Sequence, residues 1–159
     1  MTMSTAPVRV TLRAATEEDR AFLVALYATT RDDLALLPPE QRSMIMDLQY
    51  RAQDHQYRQA NPGADFDVVE IDGRPVGRLY VDRGTDDIRI VDISLLPDCR
   101  GAGTGAALIR AILDEAAASG RIVSLHVAFD NPAAHLYERL GFRLVAEHGA
   151  HRLLEWTAP

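Results

Sequence analysis

The alternation of apolar and polar residues predicts that the chain begins with one strand and two helices. Val8–Arg13 alternates along a β-strand period. Thr16 is suited to cap a helix, because acidic residues fill the following turn and apolar residues recur beyond it at helical spacing. A second helix is predicted from the Pro38-Pro39 pair to the turn at Asn61-Pro62-Gly63.

Strands dominate the middle of the chain. Asp67–Ile71 and Pro75–Val81 flank the dipeptide Asp72-Gly73, which predicts a tight hairpin. A further strand is predicted from Asp87 to Leu96, where Pro97 stops it.

The last third of the chain alternates helices and strands. After a glycine-rich loop, a helix is predicted with one apolar face, formed by Leu108, Ile109, Ile112, Leu113 and Ala116. Then follow a strand over Ile122–Val127, a short helix capped by Asp130 or Asn131 with Pro132 in its first turn, and paired strands at 142–147 and 153–156. This order predicts a single α+β domain over 1–159, with a mixed sheet of about seven strands flanked by about four helices.

Composition limits the classes of function. The chain has 159 residues, of which 47% are hydrophobic and 25% charged, as in an ordinary globular domain. Its net charge of −6 argues against a nucleic-acid-binding surface. Cys99 is the single cysteine, so we expect no internal disulfide. We find no apolar run of about 18 residues and no leader pattern in residues 1–7, and therefore expect a cytoplasmic protein that does not cross a membrane.

Residues 100–105, Arg-Gly-Ala-Gly-Thr-Gly, are the most informative segment. Alternating glycines let a ligand approach the backbone, and the unpaired N–H groups of the following helix favour an anion such as pyrophosphate. The segment also fits the dinucleotide fingerprint, but Pro97 to Arg100 separate it from the preceding strand. A Walker loop is excluded because no Gly-Lys-Ser/Thr sequence follows. A plain turn would not need three alternating glycines.

Two motifs resemble those of the GNAT (Gcn5-related N-acetyltransferase) superfamily. Arg100-x-x-Gly103-x-Gly105 matches its Gln/Arg-x-x-Gly-x-Gly/Ala signature, and the segment from Asn131 to Phe142 resembles its second hallmark, which contains Tyr137. The order and spacing of the motifs agree with the family, as does the order of elements from Val8 to Trp156. The resemblance implies the GNAT acyl-CoA N-acyltransferase fold and direct transfer of an acetyl group from acetyl-CoA to a primary amine.

The resemblance also implies roles for individual residues. The loop backbone would receive the pyrophosphate, and the end of the preceding strand would pair with the pantetheine arm and polarise the thioester carbonyl through one N–H group. Tyr137 would donate a proton to the leaving thiolate. Arg100 is either a pyrophosphate contact or a surface arginine. The expected acetyl-CoA-binding set is Leu95, Leu96, Arg100, Gly101, Ala102, Gly103, Thr104, Gly105, Asn131 and Tyr137.

Two residues are candidates for the base that takes the proton of the amine, together with an ordered water. Strand alternation predicts one shared face for Ile90, Asp92 and Ser94, and one for Ser124 and His126, and these polar faces are natural walls of a cleft. By resemblance, His126 lies where some ribosomal-protein N-terminal acetyltransferases carry a glutamate base, and Asp92 where polyamine acetyltransferases carry an acid. Arg89 stands where histone-type members carry their base, which argues against a histone-like assignment.

The acceptor is a small-molecule amine or a peptide, and the sequence does not distinguish the two. By resemblance, residues 31–61 and 147–152 are expected to determine its identity. His148 and His151 lack a third ligand, so we expect no metal. The oligomeric state stays open, although family members often form homodimers. A non-catalytic CoA-binding sensor or partner module on the same fold is the alternative function.

Overall fold

The computed structural model describes residues 8–159, so residues 1–7, where no leader was predicted, lie outside the described part of the chain. Residues 8–159 form seven strands and four helices in the predicted order. The strands are β1 (Val10–Ala14), β2 (Asp65–Ile71), β3 (Arg74–Arg83), β4 (Asp87–Leu95), β5 (Ile122–Ala128), β6 (Arg143–His148) and β7 (His151–Trp156). The helices are α1 (Arg20–Ala28), α2 (Pro39–Ala60), α3 (Thr104–Ser119) and α4 (Ala134–Arg139).

Local sequence signals account for most of the element boundaries. Asp72 and Gly73 both adopt positive φ, at 50° and 81°, as a tight turn between β2 and β3 requires. Gly120 ends α3 in the left-handed conformation. The predicted start of α4 was wrong: regular helix begins at Ala134, so Pro132 lies in the turn before it.

The strands form one sheet in the order β1-β2-β3-β4-β5-β7-β6, in which only β4 and β5 run parallel. The larger apolar core lies between this sheet and α3, whose five predicted apolar residues are all buried. A smaller core joins α1 and α2 through Leu23, Leu26, Tyr27, Met46 and Tyr50. No helix within residues 8–159 combines the length and the apolarity that a membrane crossing requires.

A β-bulge at Val91 divides β4 into two parts. Val81 pairs with Ile90 whereas Tyr80 pairs with Asp92, so β4 contains one residue more than β3 at this point. Ile90 therefore belongs to the core beneath α3, while the Asp92 carboxylate bonds to Tyr57 of α2. The prediction that Ile90 shares a face with Asp92 was wrong, because the extra residue reverses the alternation.

Candidate active site

A gap between β4 and β5 is the central feature of the site. The two strands pair only from Asp87 to Ile90 on β4, and the rest of β4 pairs with β3 alone. The Leu96 N–H donates to the Val76 carbonyl on the β3 side, at 2.8 Å. Because successive N–H groups along a strand point to opposite edges, the Leu95 N–H is directed to the open edge that faces the gap.

The guanidinium of Arg100 lies at this same edge. Its Nε donates to the Leu95 carbonyl at 2.9 Å, and its Nη2 donates to the Thr29 hydroxyl, which directly follows α1, at 3.3 Å. The sequence left Arg100 open between a pyrophosphate contact and a surface arginine. The structure adds a third role, in which this exposed side chain joins the end of β4 to the end of α1.

The glycine loop presents its backbone beside Leu95. Gly101 and Gly103 have φ values of 79° and 86°, which L side chains rarely adopt, and no described atom lies within 4 Å of the position a Cβ would take at either one. The first backbone bond within α3 is donated by Ala107 to the Gly103 carbonyl, so the preceding N–H groups of the first turn are free of helical partners. A Cβ at Gly105 would lie 3.8 Å from Leu95 Cδ1, so the loop and the strand end adjoin. An open, positively polarised backbone fits a pyrophosphate.

Tyr137 is buried on α4, with 6% of its surface exposed. Its ring packs edge-on against Phe142, with 5.6 Å between the ring centroids. Burial raises the pKa of Tyr137 to about 12, and the charge of Asp92 adds to the effect. The phenol therefore keeps its proton throughout the neutral range.

The Asp92 carboxylate is held by three hydrogen bonds. Its Oδ2 accepts from the Tyr57 hydroxyl at 2.9 Å and from the buried Arg78 guanidinium at 2.7 Å, and its Oδ1 accepts from the Ser94 hydroxyl at 2.8 Å. Arg78 also donates to Gln53 of α2 at 2.8 Å. This network ties α2 to the centre of the sheet and leaves neither carboxylate oxygen without a donor.

His126 belongs to a different cluster. Arg89 approaches its Nδ1 at 3.4 Å and donates through Nε to the buried Ser124 hydroxyl at 2.8 Å. Burial lowers the pKa of His126, and the charges of Arg89, His148 and His151 lower it further. The imidazole is therefore kept neutral near pH 7, the form that accepts a proton.

The structure groups the predicted residues in two places. Leu95 and the glycine loop adjoin the gap, Tyr137 belongs to the same core as Leu95, and Asp92 lies on the α2 side of the sheet. His126 is on β5, on the same face of the sheet as Asp92, but its ring lies beside Arg89 of β4. Sequence reasoning missed Arg78, although an arginine within the apolar strand β3 signals a buried partner of opposite charge.

The remaining predicted features lie around this centre. Asn131 precedes α4, and its Oδ1 accepts the Ala133 N–H at 2.9 Å. A cavity of about 670 Å³ lies between the start of α1 and the second half of α2, and Tyr50 and His55 are among the residues lining it. Within residues 8–159, no three histidine, cysteine or carboxylate side chains are arranged to hold a metal ion.

Comparison with protein families gives one match that covers most of the chain. The model of the acetyltransferase (GNAT) family matches residues 15–142. An uncharacterised N-acetyltransferase of Methanocaldococcus jannaschii is 38% identical over 86 residues, which are 48% of this chain and 38% of that protein. This chain thus spans well under half of that relative. A Bacillus subtilis protein, named as a proposed alanine N-acetyltransferase of ribosomal protein bS18, is 30% identical over 61% of this chain and 70% of its own length.

Solved structures share the fold at low sequence identity. The PaiA N-acetyltransferase of Thermoplasma acidophilum in complex with coenzyme A superposes with a TM-score of 0.69 at 15% identity, over 94% of this chain and 99% of that one. Arabidopsis thaliana Naa50 in complex with a bisubstrate analogue superposes with a TM-score of 0.63 at 16% identity, again over 94% and 99%. These likenesses establish the fold.

Proposed function

This chain belongs to the GNAT acetyltransferase family, and from that premise we propose that it transfers the acetyl group of acetyl-CoA directly to a primary amine of a small molecule or peptide. The observation that carries the proposal is the open edge of β4 at Leu95, which adjoins the glycine loop and belongs to the same buried core as Tyr137. We infer that the loop would bind the anionic end of the ligand, the strand edge its arm, and Tyr137 the leaving sulfur. The homodimer stays a prediction.

The donor side of the site would hold acetyl-CoA chiefly through backbone groups. Residues 101–105 and the first turn of α3 would receive the pyrophosphate, because their N–H groups carry the positive end of the helix dipole. The pantetheine arm would extend along the open edge of β4, and the family resemblance implies that Asn131 lies close to it. Leu95 is the better donor to the thioester oxygen, since the Leu96 N–H is already bonded to Val76. Such a donor is typically worth about 3 kcal/mol in the transition state.

Tyr137 is assigned as the acid. As the amine nitrogen attacks the thioester carbon and the carbon–sulfur bond breaks, the sulfur leaves with the bonding electrons and takes the phenolic proton. The pKa of Tyr137, about 12, keeps that proton available at neutral pH. Acidic, neutral and mildly basic solutions all leave the group in its donating form.

His126 is assigned as the acceptor of the amine proton, through an intervening water. Its lowered pKa keeps the ring neutral, and since Arg89 donates towards Nδ1, that nitrogen carries the basic lone pair. The Arg89 contact is long at 3.4 Å, so a water can replace it. Asp92 is assigned a structural role, in which it fixes the position of α2 against the sheet, because both its oxygens already accept hydrogen bonds.

Thiol release from acetyl-CoA tests the proposal. Wild type and Tyr137→Phe are assayed with polyamines, aminoglycosides, amino acids and short peptides as acceptors. Tyr80→Phe is the matched control, because the Tyr80 hydroxyl is buried without a hydrogen-bond partner in the described chain. We expect release with one class of amine, reduced about 100-fold in Tyr137→Phe and unchanged in Tyr80→Phe.

The alternative is a non-catalytic CoA-binding module. The observation that favours it is the full engagement of Asp92, whose two carboxylate oxygens already accept hydrogen bonds from Tyr57, Arg78 and Ser94. Calorimetric binding of acetyl-CoA in the same samples, with no thiol release from any acceptor, would support this alternative over the enzyme. Loss of binding as well would contradict both functions.

A further inference from the structure

Arg100 connects two segments of the chain that are far apart in sequence. Its Nε bonds to the Leu95 carbonyl at 2.9 Å, and its Nη2 bonds to the hydroxyl of Thr29, 71 residues earlier in the chain, at 3.3 Å. Thr29 in turn donates to the Leu26 carbonyl at 2.7 Å, within the last turn of α1. A planar guanidinium can hold both partners at once in a fixed geometry, which an ammonium group on a flexible chain does poorly.

We propose that Arg100 is a positioning residue, which holds the Leu95 peptide at the open edge of β4 and couples it to α1. The proposal rests on the proposed function, because it concerns the N–H group assigned to the thioester oxygen. It replaces both roles that the sequence left open, the pyrophosphate contact and the surface arginine.

Two physical reasons support this role. The N–H and C=O of one strand residue point to the same edge, so a donor fixed on the Leu95 carbonyl also fixes the direction of the Leu95 N–H. The bare carbonyl would present partial negative charge close to the oxygen that becomes negative in the transition state. A guanidinium bonded to that carbonyl offsets the repulsion.

The link to α1 joins the donor side of the site to the acceptor side. α1 leads into the loop and helix that are expected to contact the amine, whereas Leu95 lies on the path of the acetyl group. Arg100 is the hydrogen-bonded bridge from Leu95 to Thr29. Displacement of α1 would therefore move the Leu95 peptide, and a small displacement of a catalytic donor is costly in rate.

The test compares Arg100→Ala and Arg100→Lys with Thr29→Val and Thr29→Ser. Thr29→Val removes the oxygen that Arg100 binds, and Thr29→Ser keeps it. Arg110→Ala is the matched control, since it removes an exposed arginine from α3. We expect kcat to fall about 10- to 100-fold in Arg100→Ala, less in Thr29→Val and not in Thr29→Ser, while the dissociation constant of CoA changes less than threefold in all of them.

If Arg100 contacts the pyrophosphate instead, its loss should affect the affinity for CoA and not kcat. CoA would then bind at least tenfold more weakly to Arg100→Ala with kcat little changed, and both Thr29 variants would match wild type. That result would overturn the proposal. An Arg100→Ala protein with wild-type kcat and wild-type CoA affinity would also overturn it.

A spectroscopic measurement separates failure of this proposal from failure of the proposed function. The amide resonance of ¹⁵N-labelled Leu95 is recorded in wild type and Arg100→Ala, with CoA and with acetyl-CoA. In wild type we expect the chemical shift of the Leu95 amide to differ between the CoA and acetyl-CoA complexes. In Arg100→Ala we expect that difference to be lost, although both ligands still bind. Identical shifts in the two proteins would overturn the positioning role. No binding of acetyl-CoA to wild type would contradict the proposed function, and the role of Arg100 with it.

Discussion

The carboxylate of Asp92 and the guanidinium of Arg78 lie 2.7 Å apart within the sheet, with 13% and 4% of their side chains exposed. Both charges are withdrawn from water at considerable cost, which their mutual attraction and hydrogen bonds offset. We therefore expect the pair to contribute mainly by fixing which residues face one another across β3 and β4. Tyr57 and Gln53 extend the same network to α2.

Asp92→Asn is expected to destabilise the fold without removing the base. The substitution leaves the buried Arg78 without its counter-charge, so the free energy of unfolding should fall by about 3 kcal/mol. Urea unfolding measures this loss, with Asp114→Asn, at an exposed position on α3, as the control. At a temperature where the variant is folded, its pH–rate profile should keep the acid limb of wild type. Disappearance of that limb, with stability intact, would identify Asp92 as the base.

Arg89→Leu is expected to move the acid limb of the pH–rate profile to higher pH. The positive charge of Arg89 disfavours a second positive charge on His126 and so lowers the pKa of the imidazole. Without that charge the imidazolium is more stable, its pKa rises, and less neutral base remains just below pH 7. Arg89→Lys keeps the positive charge, so the acid limb of its pH–rate profile should stay close to that of wild type.

The titration of His126 can be followed directly by proton NMR of its ring. A His126 pKa that is unchanged in Arg89→Leu would contradict the electrostatic coupling. A shifted pKa with an unshifted rate profile would exclude His126 as the group that controls the rate.

The order of elements was predictable because it depends on local patterns. The apolar face of α3, the Asp72-Gly73 turn and the stops at Pro97 and Gly120 each depend on neighbouring residues. The bulge at Val91 was not predictable, because one extra residue leaves the local alternation looking regular while it reverses the faces beyond it.

The polar contacts of the site depend on long-range register. Asp92 meets Arg78, 14 residues away, only because β3 and β4 pair with Tyr80 opposite Asp92. The sequence identified Asp92 as a candidate base but did not identify Arg78 as its partner. The engagement of both carboxylate oxygens therefore became visible only in the structure. The roles of Tyr137 and His126 in the reaction stay predictions.

Asp19→Asn is expected to remove an acid-sensitive part of the stability. The Arg13 guanidinium donates two hydrogen bonds to the Asp19 carboxylate, at 2.7 and 2.8 Å, and lowers its pKa from 3.8 to about 2. Because the folded pKa lies below the unfolded one, this stability is fully present above about pH 4 and is lost as the pH falls towards 2. The shift corresponds to about 2 kcal/mol.

Unfolding free energies measured from pH 7 to pH 2 test this assignment. Asp19→Asn should be less stable than wild type at pH 7 and should approach it at pH 2. Asp33→Asn is the matched control, because Asp33 also pairs with an arginine, at 2.9 Å, but is exposed. A constant difference between Asp19→Asn and wild type at every pH would mean that packing, and not ionisation, is responsible.

Gly77→Ala is expected to impair folding and acetyl transfer together, because Gly77 of β3 lies against the end of β4. A Cβ at this position would stand 2.6 Å from Leu95 Cδ2 and closer still to the Ser94 carbonyl oxygen, so the backbone that carries the proposed thioester donor would have to move. Overpacking of this kind costs about 1 to 3 kcal/mol.

Gly63→Ala is the control, since nothing described lies within 4 Å of its added methyl group. The midpoint temperature of thermal unfolding and kcat should both fall in Gly77→Ala, and both should remain unchanged in Gly63→Ala. A lower midpoint with unaltered kcat would show that the Leu95 edge tolerates displacement and that its N–H group is not the oxyanion donor.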